Sequence, residues 1–239
     1  MLRKGLLVVM SLTLSCGVVA QEEAEDEGPW SGSLSLGYLS TSGNTDTETG
    51  ALKFDIAYSV NDWVHSFALR GNGAKESGST TAEAYTAGWR SAYEFSEHNF
   101  VFGTVDWRKD RFAGVTEQLS YAINYGRRVI NRPDHILGLA VGVGYRDSDR
   151  QDGTNETSAI GRGTLDYDWI WSETSNFQQD IVIESGSDNT YIESISAVRA
   201  RLIGDFALVL SYTIRHNTDV PVGSEETDRI SAVSVEYAF

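Results

Sequence analysis

Along most of this chain, apolar residues fall on every second position, the period of a strand whose two faces meet different surroundings. Leu34, Leu36 and Tyr38 alternate with Ser33, Ser35 and Gly37; Leu52, Phe54, Ile56 and Tyr58 alternate with Ala51, Lys53, Asp55 and Ala57. The pattern recurs in Trp63–Leu69, Tyr85–Tyr93, Val101–Trp107, Leu119–Tyr125, Leu137–Tyr145 and Leu165–Trp171. It continues through Phe177–Ile183, Ile192–Leu202 and Phe206–Ile214, and closes in Val233, Val235, Tyr237 and Phe239 at the very end of the chain. These stripes predict twelve strands. Past the N-terminal segment, no apolar run approaches the ~20 residues that a membrane-spanning helix needs.

The connections carry separate information. Tight links fall at Asn61-Asp62, Ser96-Glu97-His98, Asn131-Arg132-Pro133, Ser172–Asn176 and Gly204-Asp205. Longer polar ones fall between them, at Thr41–Thr47, Gly71–Thr81, Lys109–Glu117, Asp147–Thr157, Ser185–Thr190 and Thr218–Asp228. Such alternation of short and long, over an even number of strands, is the plan of an outer-membrane barrel with short periplasmic turns and longer outer loops. A soluble sandwich, the structural alternative, has no reason to alternate so regularly. The fold expected over residues 30–239 is therefore all-β: one antiparallel transmembrane β-barrel of about twelve strands with both termini in the periplasm. Trp63, Tyr93, Trp169 and Trp171 lie beside short turns and Tyr38, Trp107 and Tyr145 toward long ones, as two interfacial girdles require. The terminal stripe resembles the C-terminal strand of bacterial outer-membrane barrels. That resemblance makes Val233, Val235, Tyr237 and Phe239 a signal for the barrel-assembly machinery.

The N-terminus points to export. Arg3 and Lys4 precede a short apolar stretch from Gly5 to Leu14, and Val18-Val19-Ala20 supplies the small residues of a cleavage site. Residues 1–20 are read as a signal peptide. Cys16 raises a lipoprotein alternative, but Thr13 stands three residues before it where leucine is expected. Cleavage after Ala20 removes the single cysteine, leaving neither disulfides nor thiolate metal sites. It also removes Arg3 and Lys4, taking the formal charge two units below −15. A chain so acidic argues against nucleic acid, which needs a basic face. Residues 21–29, beginning Gln-Glu-Glu-Ala-Glu-Asp-Glu, read as an acidic periplasmic tail.

The positions opposite the apolar stripes describe the lumen. Lys53, Arg70, Arg90, Arg108, Arg128, Arg146, Arg162, Arg199, Arg201 and Arg215 are set there against Asp55, Glu94, Asp106, Asp166, Asp168, Asp180, Glu184, Glu193 and Glu236. So balanced a set suits a hydrated interior held by ion pairs. The sharper alternative is a narrow or gated conduit in which pairs such as Arg199/Arg201 attract an anionic solute.

A hydrolase needs a nucleophile, a base and an orienting group in reach. Of the histidines, His98 and His135 fall at short turns and His65 on the apolar register. Only His216 lies by an outer loop, near Thr218 and Asp219, where strand-end polarity explains it. No catalytic residue is assigned. Asp147–Gly153 has the oxygen-rich look of a calcium loop but lacks its spacing and terminal glutamate, so neither metal nor cofactor is expected.

Gly37-Tyr38-Leu39-Ser40-Thr41-Ser42-Gly43-Asn44-Thr45-Asp46-Thr47 resembles the N-terminal signature of the salt-induced outer-membrane protein family, a Gram-negative family of unassigned function. Gly43 and Asn44 suit positive φ in such a loop. Gly142-Val143-Gly144-Tyr145-Arg146 is similar to a later segment of that family. The resemblance implies an exported barrel that responds to salt or envelope stress. Three readings stand: a structural or conducting outer-membrane barrel, a surface protein whose acidic loops bind a partner or lipopolysaccharide through divalent ions, and a loop-sited hydrolase. Neither a solute nor an oligomeric state follows from the residues.

Overall fold

The computed structural model describes residues 28–41, 47–110, 115–150, 153–220 and 225–239. The expected signal peptide and most of the acidic tail lie outside them, as do Ser42–Asp46 of the first hairpin and residues 151–152 of the calcium-like loop. Twelve strands form one closed antiparallel barrel: β1 (Trp30–Thr41), β2 (Thr47–Val60), β3 (Trp63–Glu76), β4 (Ser79–Glu94), β5 (Asn99–Asp110) and β6 (Val115–Asn131), then β7 (His135–Arg150), β8 (Asn155–Ser172), β9 (Ser175–Ser185), β10 (Thr190–Ile203), β11 (Phe206–Asn217) and β12 (Thr227–Ala238). Each strand pairs with its sequence neighbour, and β12 returns to β1. Closure leaves no continuous sheet edge for lipid to meet, the condition for a strand protein in a bilayer.

Burial follows the alternation. The outward stripes are exposed, as in Leu36 and Ile123, Val141 and Val143, Val233 and Val235. The opposite positions are buried and polar, including Asp55, Asn124, Arg146 and Glu184. This is the inside-out arrangement of a barrel solvated by hydrocarbon. Aromatics gather at the rim that holds both termini: Trp30 packs on Tyr58, Trp63 on Tyr93, His135 on Trp169, and Phe206 on Tyr237. Tyr121 meets Tyr145 toward the other rim.

Strand ends differ from the expected loops on that far rim. The segment 71–81 is mostly sheet: β3 runs to Glu76, β4 starts at Ser79, and only Ser77-Gly78 turns the chain. Both turn residues have positive φ, 49° and 80°, the handedness that suits a two-residue hairpin. Likewise β7 extends to Arg150 and β8 starts at Asn155. The apolar stripe marks only the part of a strand that lipid touches. The backbone ladder continues past it, because polar side chains on both faces are tolerated once the strand leaves hydrocarbon.

The glycines of the Gly142–Arg146 segment have a packing reason. A β-carbon on Gly144 would lie 2.1 Å from the Tyr121 carbonyl oxygen, and one on Gly142 would lie 2.5 Å from that of Ile123. β6 and β7 approach too closely here for any side chain on the inner face.

Candidate functional site: the barrel lumen

The inward positions of twelve strands converge, so residues far apart in sequence become neighbours. Near the far rim, Arg215 of β11 donates to Glu193 of β10 (Nε to Oε2, 2.8 Å), and its Nη1 lies 4.0 Å from Asp110 of β5. Arg70 of β3 reaches the same Glu193 at 3.8 Å. The Arg108 guanidinium sits 3.4 Å from the centroid of the Tyr191 ring, and the Tyr191 hydroxyl donates to Glu193 at 3.1 Å. β3 and β5 stand across the barrel from β10 and β11. This group is therefore a strut through the lumen.

A second group fills the β4–β9 side. Arg162 donates to Asp106 at 2.6 Å and to Glu184 at 2.8 Å, with only 4% of its side chain exposed. Ser120 adds a hydrogen bond to Glu184 at 3.3 Å. Arg146 donates to both carboxylate oxygens of Asp188 at 3.0 Å and to the Asn189 carbonyl at 2.7 Å, latching the β9–β10 connection to β7. Below, Arg90 lies 4.0 Å from the Phe102 ring centroid, and Phe100 and Phe102 stack. Arg128 pairs with Glu94 and donates to the Glu97 carbonyl. Carboxylates, carbonyls and ring faces take the place of much of the water that these buried guanidinium groups give up.

Space remains between these groups: pockets of about 40 and 50 Å³ lie among Arg90, Arg162, Asp166 and Glu193 and beside Asp106, Arg108 and Tyr191. A cavity of about 100 Å³ runs along β9–β12 and β1–β3. It extends from Thr213 and Arg215 toward the far rim to Asn176 and Glu236 near the terminal rim. Ala51, Ile195, Ala197, Val209 and Ala232 give it an apolar wall. Its charged lining is Lys53, Arg70, Arg199 and Arg215 against Glu236 alone. Arg199 bonds that Glu236 at 2.8 Å, and Lys53 lies 3.2 Å from the buried Asp55.

Among the sequence-derived lumen positions, Lys53, Arg70, Arg199 and Arg215 therefore line the cavity. Arg90, Asp106, Arg108, Arg128 and Arg162 belong to the β4–β9 groups or the strut and line smaller pockets there. Asp166 is the cross-strand partner of Asp180, so two carboxylates face each other, with Asp168 one inward step away. Arg201 is exposed at the terminal rim. Sequence reasoning passed over Tyr191, Asp110, Asp188 and the inward pair Phe100/Phe102. The first two fall on the inward parity of their strands, which was the available signal; Asp188 sits in a connection and carries none. At the far rim, His216 Nδ1 lies 2.9 Å from the Thr227 hydroxyl, while the Asp219 amide donates to Asn189 at 3.1 Å.

The sequence profile of the family described as "Protein of unknown function, DUF481" matches residues 34–239. The chain belongs to this family. A relative in Escherichia coli (strain K12), "Uncharacterized protein YdiY", is 29% identical over 224 residues, covering 92% of this chain and 88% of its own. Among solved structures, an outer-membrane channel from Pseudomonas putida F1 superposes with a TM-score of 0.54 at 10% identity, over 92% of this chain and all of that one. The NanC porin gives 0.51 at 9% identity, over 87% and 97% of the two chains. At such identities the likeness is one of fold.

Proposed function

We propose that the protein is an integral outer-membrane barrel whose partly filled lumen is a narrow conduit for small solutes, gated by the strut of Arg70, Glu193, Arg215 and Asp110. The observation that carries this reading is the cavity of about 100 Å³ along β9–β12 and β1–β3, lined from Asn176 and Glu236 near one rim to Thr213 and Arg215 toward the other and bordered by the basic side chains of the strut. The exposed apolar belt supports residence in a bilayer, and the closed barrel together with the export signal read at residues 1–20 supports the outer membrane. The terminal rim then faces the periplasm, and the far rim faces lipopolysaccharide. Insertion by the barrel-assembly machinery through Val233, Val235, Tyr237 and Phe239, and a part in salt or envelope-stress adaptation, are inferred from the sequence resemblances alone.

Planar-bilayer recording on the purified mature chain tests the conduit. Small, voltage-sensitive conductance steps are expected. Removing the strut as a unit, with Glu193→Gln and Arg215→Met together, should raise them. No conductance in either protein, across voltage and pH, overturns the conduit and leaves a purely structural barrel, the reading that the cross-lumen ion pairs favour.

A further inference from the structure

The seam that closes the barrel is zipped over only part of its length. β1 and β12 pair from Ser33–Ala238 to Gly37–Ser234, and Gly32 and Phe239 exchange two backbone hydrogen bonds, of 2.8 and 2.9 Å. Continued in register, Tyr38 would face Val233, Leu39 Ala232, Ser40 Ser231 and Thr41 Ile230. Among the described residues none of these pairs forms, although Tyr38–Thr41 stay bonded to β2 and Ile230–Val233 to β11. The other strand pairs continue close to the far rim. The wall thus has a slit in its far half, bounded by backbone with sheet partners on one side only.

Unpaired backbone is costly in hydrocarbon, so the position of the slit matters. Outward residues beside it change from Val233 to Ser231 and Arg229, both exposed. The slit therefore begins where apolar chains give way to headgroups. Directly behind it lies the open cavity, for Ile230, Ala232 and Ser234 of β12 and Ser35 of β1 form part of the cavity wall. Leu39, on the inward register of β1, is 50% exposed at the same place. The slit and the cavity wall thus share Ile230 and Ala232 of β12.

We propose that this slit is a lateral portal through which an anionic single-chain amphiphile, of the alkyl-carboxylate class, passes from the outer leaflet into the lumen. The inference rests on the reading of the chain as an outer-membrane barrel. Donors select the head: Lys53, Arg70, Arg199 and Arg215 line the cavity, each already meeting a carboxylate, and among the described residues the buried Arg199 Nε–H still lacks an acceptor that a carboxylate head would supply. The cavity's apolar wall receives a chain, and its size limits that chain to one. A water needs roughly 10–15 Å³ on this measure, so about 100 Å³ holds a single short alkyl chain and excludes a two-chain lipid. Arg229 at the mouth would meet the head first.

The test uses the mature chain in phosphatidylcholine vesicles with dodecanoate carrying a photoreactive diazirine. Labelling is expected on inward residues such as Ala197, Val209 and Ala232. A neutral dodecanol probe should label them roughly tenfold less, the value of one charge-assisted contact. Leu39→Cys with Ala232→Cys, oxidised to a disulfide, should zip the seam and abolish the label, and reduction should restore it. Ala197→Trp, which fills the cavity without a crosslink, should abolish it irreversibly. Undiminished labelling in the locked or filled protein, or label confined to lipid-facing side chains, overturns the portal. Conductance measured on the same vesicles separates the two readings. An unlabelled lumen that still conducts sinks the portal alone, whereas a labelled lumen without conductance sinks the conduit and leaves the portal standing.

Discussion

At the scale of single residues, the lumen shows why buried charge is neither free nor wasted. Arg162 bridges Asp106 and Glu184 in a site where water hardly reaches. Removing one member of such a group leaves the others uncompensated, which costs more than the intact group contributes. Arg162→Met is expected to destabilise the barrel by about 3–5 kcal/mol, read as a lower urea midpoint for unfolding in lipid vesicles. Adding Asp106→Asn and Glu184→Gln should recover part of the loss; a triple variant no better than the single one would refute the explanation. Asp188 responds to pH. Burial pushes its carboxyl upward, but the neighbouring Ser158 hydroxyl and the Arg146 guanidinium more than reverse this and hold it below the usual carboxylate range. Its stabilising effect is therefore complete above the unfolded value of about 3.9 and fades as pH falls through the lower folded one. Amide exchange in residues 186–189 should rise only in strong acid, whereas Asp188→Asn should show fast exchange already at neutral pH.

At the scale of elements, the period of two located every strand and the face each turns outward. It could not locate strand ends. Segments 71–81 and 147–157 look like loops because their side chains are polar, but the ladder extends through most of both. Positive φ at Ser77 and Gly78 shows that the first turns in two residues. The close contact of β6 and β7 was legible only as a glycine-rich resemblance. Its cause is steric: with β-carbons at 142 and 144 the strands could not stay this near. Gly144→Ala is expected to reduce the heat-modifiable, folded fraction sharply on refolding, because the clash is with backbone and cannot be relieved by a rotamer change. Gly50→Ala, at a position with open space around it, should refold normally.

At the scale of the whole molecule, Phe239 adds one more backbone pair to the five that close β12 on β1. The Phe239 amide and carbonyl both bond Gly32, and a β-carbon on Gly32 would lie 2.6 Å from the Phe239 ring. Deleting Phe239 orphans the two polar groups of Gly32 at about 1–3 kcal/mol each. It should lower the unfolding temperature of the purified, preformed barrel, measured by loss of heat-modifiable migration. If the residue mattered only as an assembly signal, that temperature would not move. The sequence by itself determined strand number, facing and the polarity of the two surfaces, because these depend on alternation between neighbouring residues and on a solvent that rewards apolar exterior. It also named many of the inward charged positions, though it passed over Asp110 and set inside an Arg201 that is exposed at the terminal rim. Only the tertiary structure decided which of them meet, since Arg215 finds Asp110 and Arg70 finds Glu193 across a barrel whose curvature no local pattern encodes. The cross-lumen ion pairs, the cavities between them and the incompletely zipped seam come from the same source. They are set by how twelve strands close on one another, and closure is a property of the ring rather than of any strand.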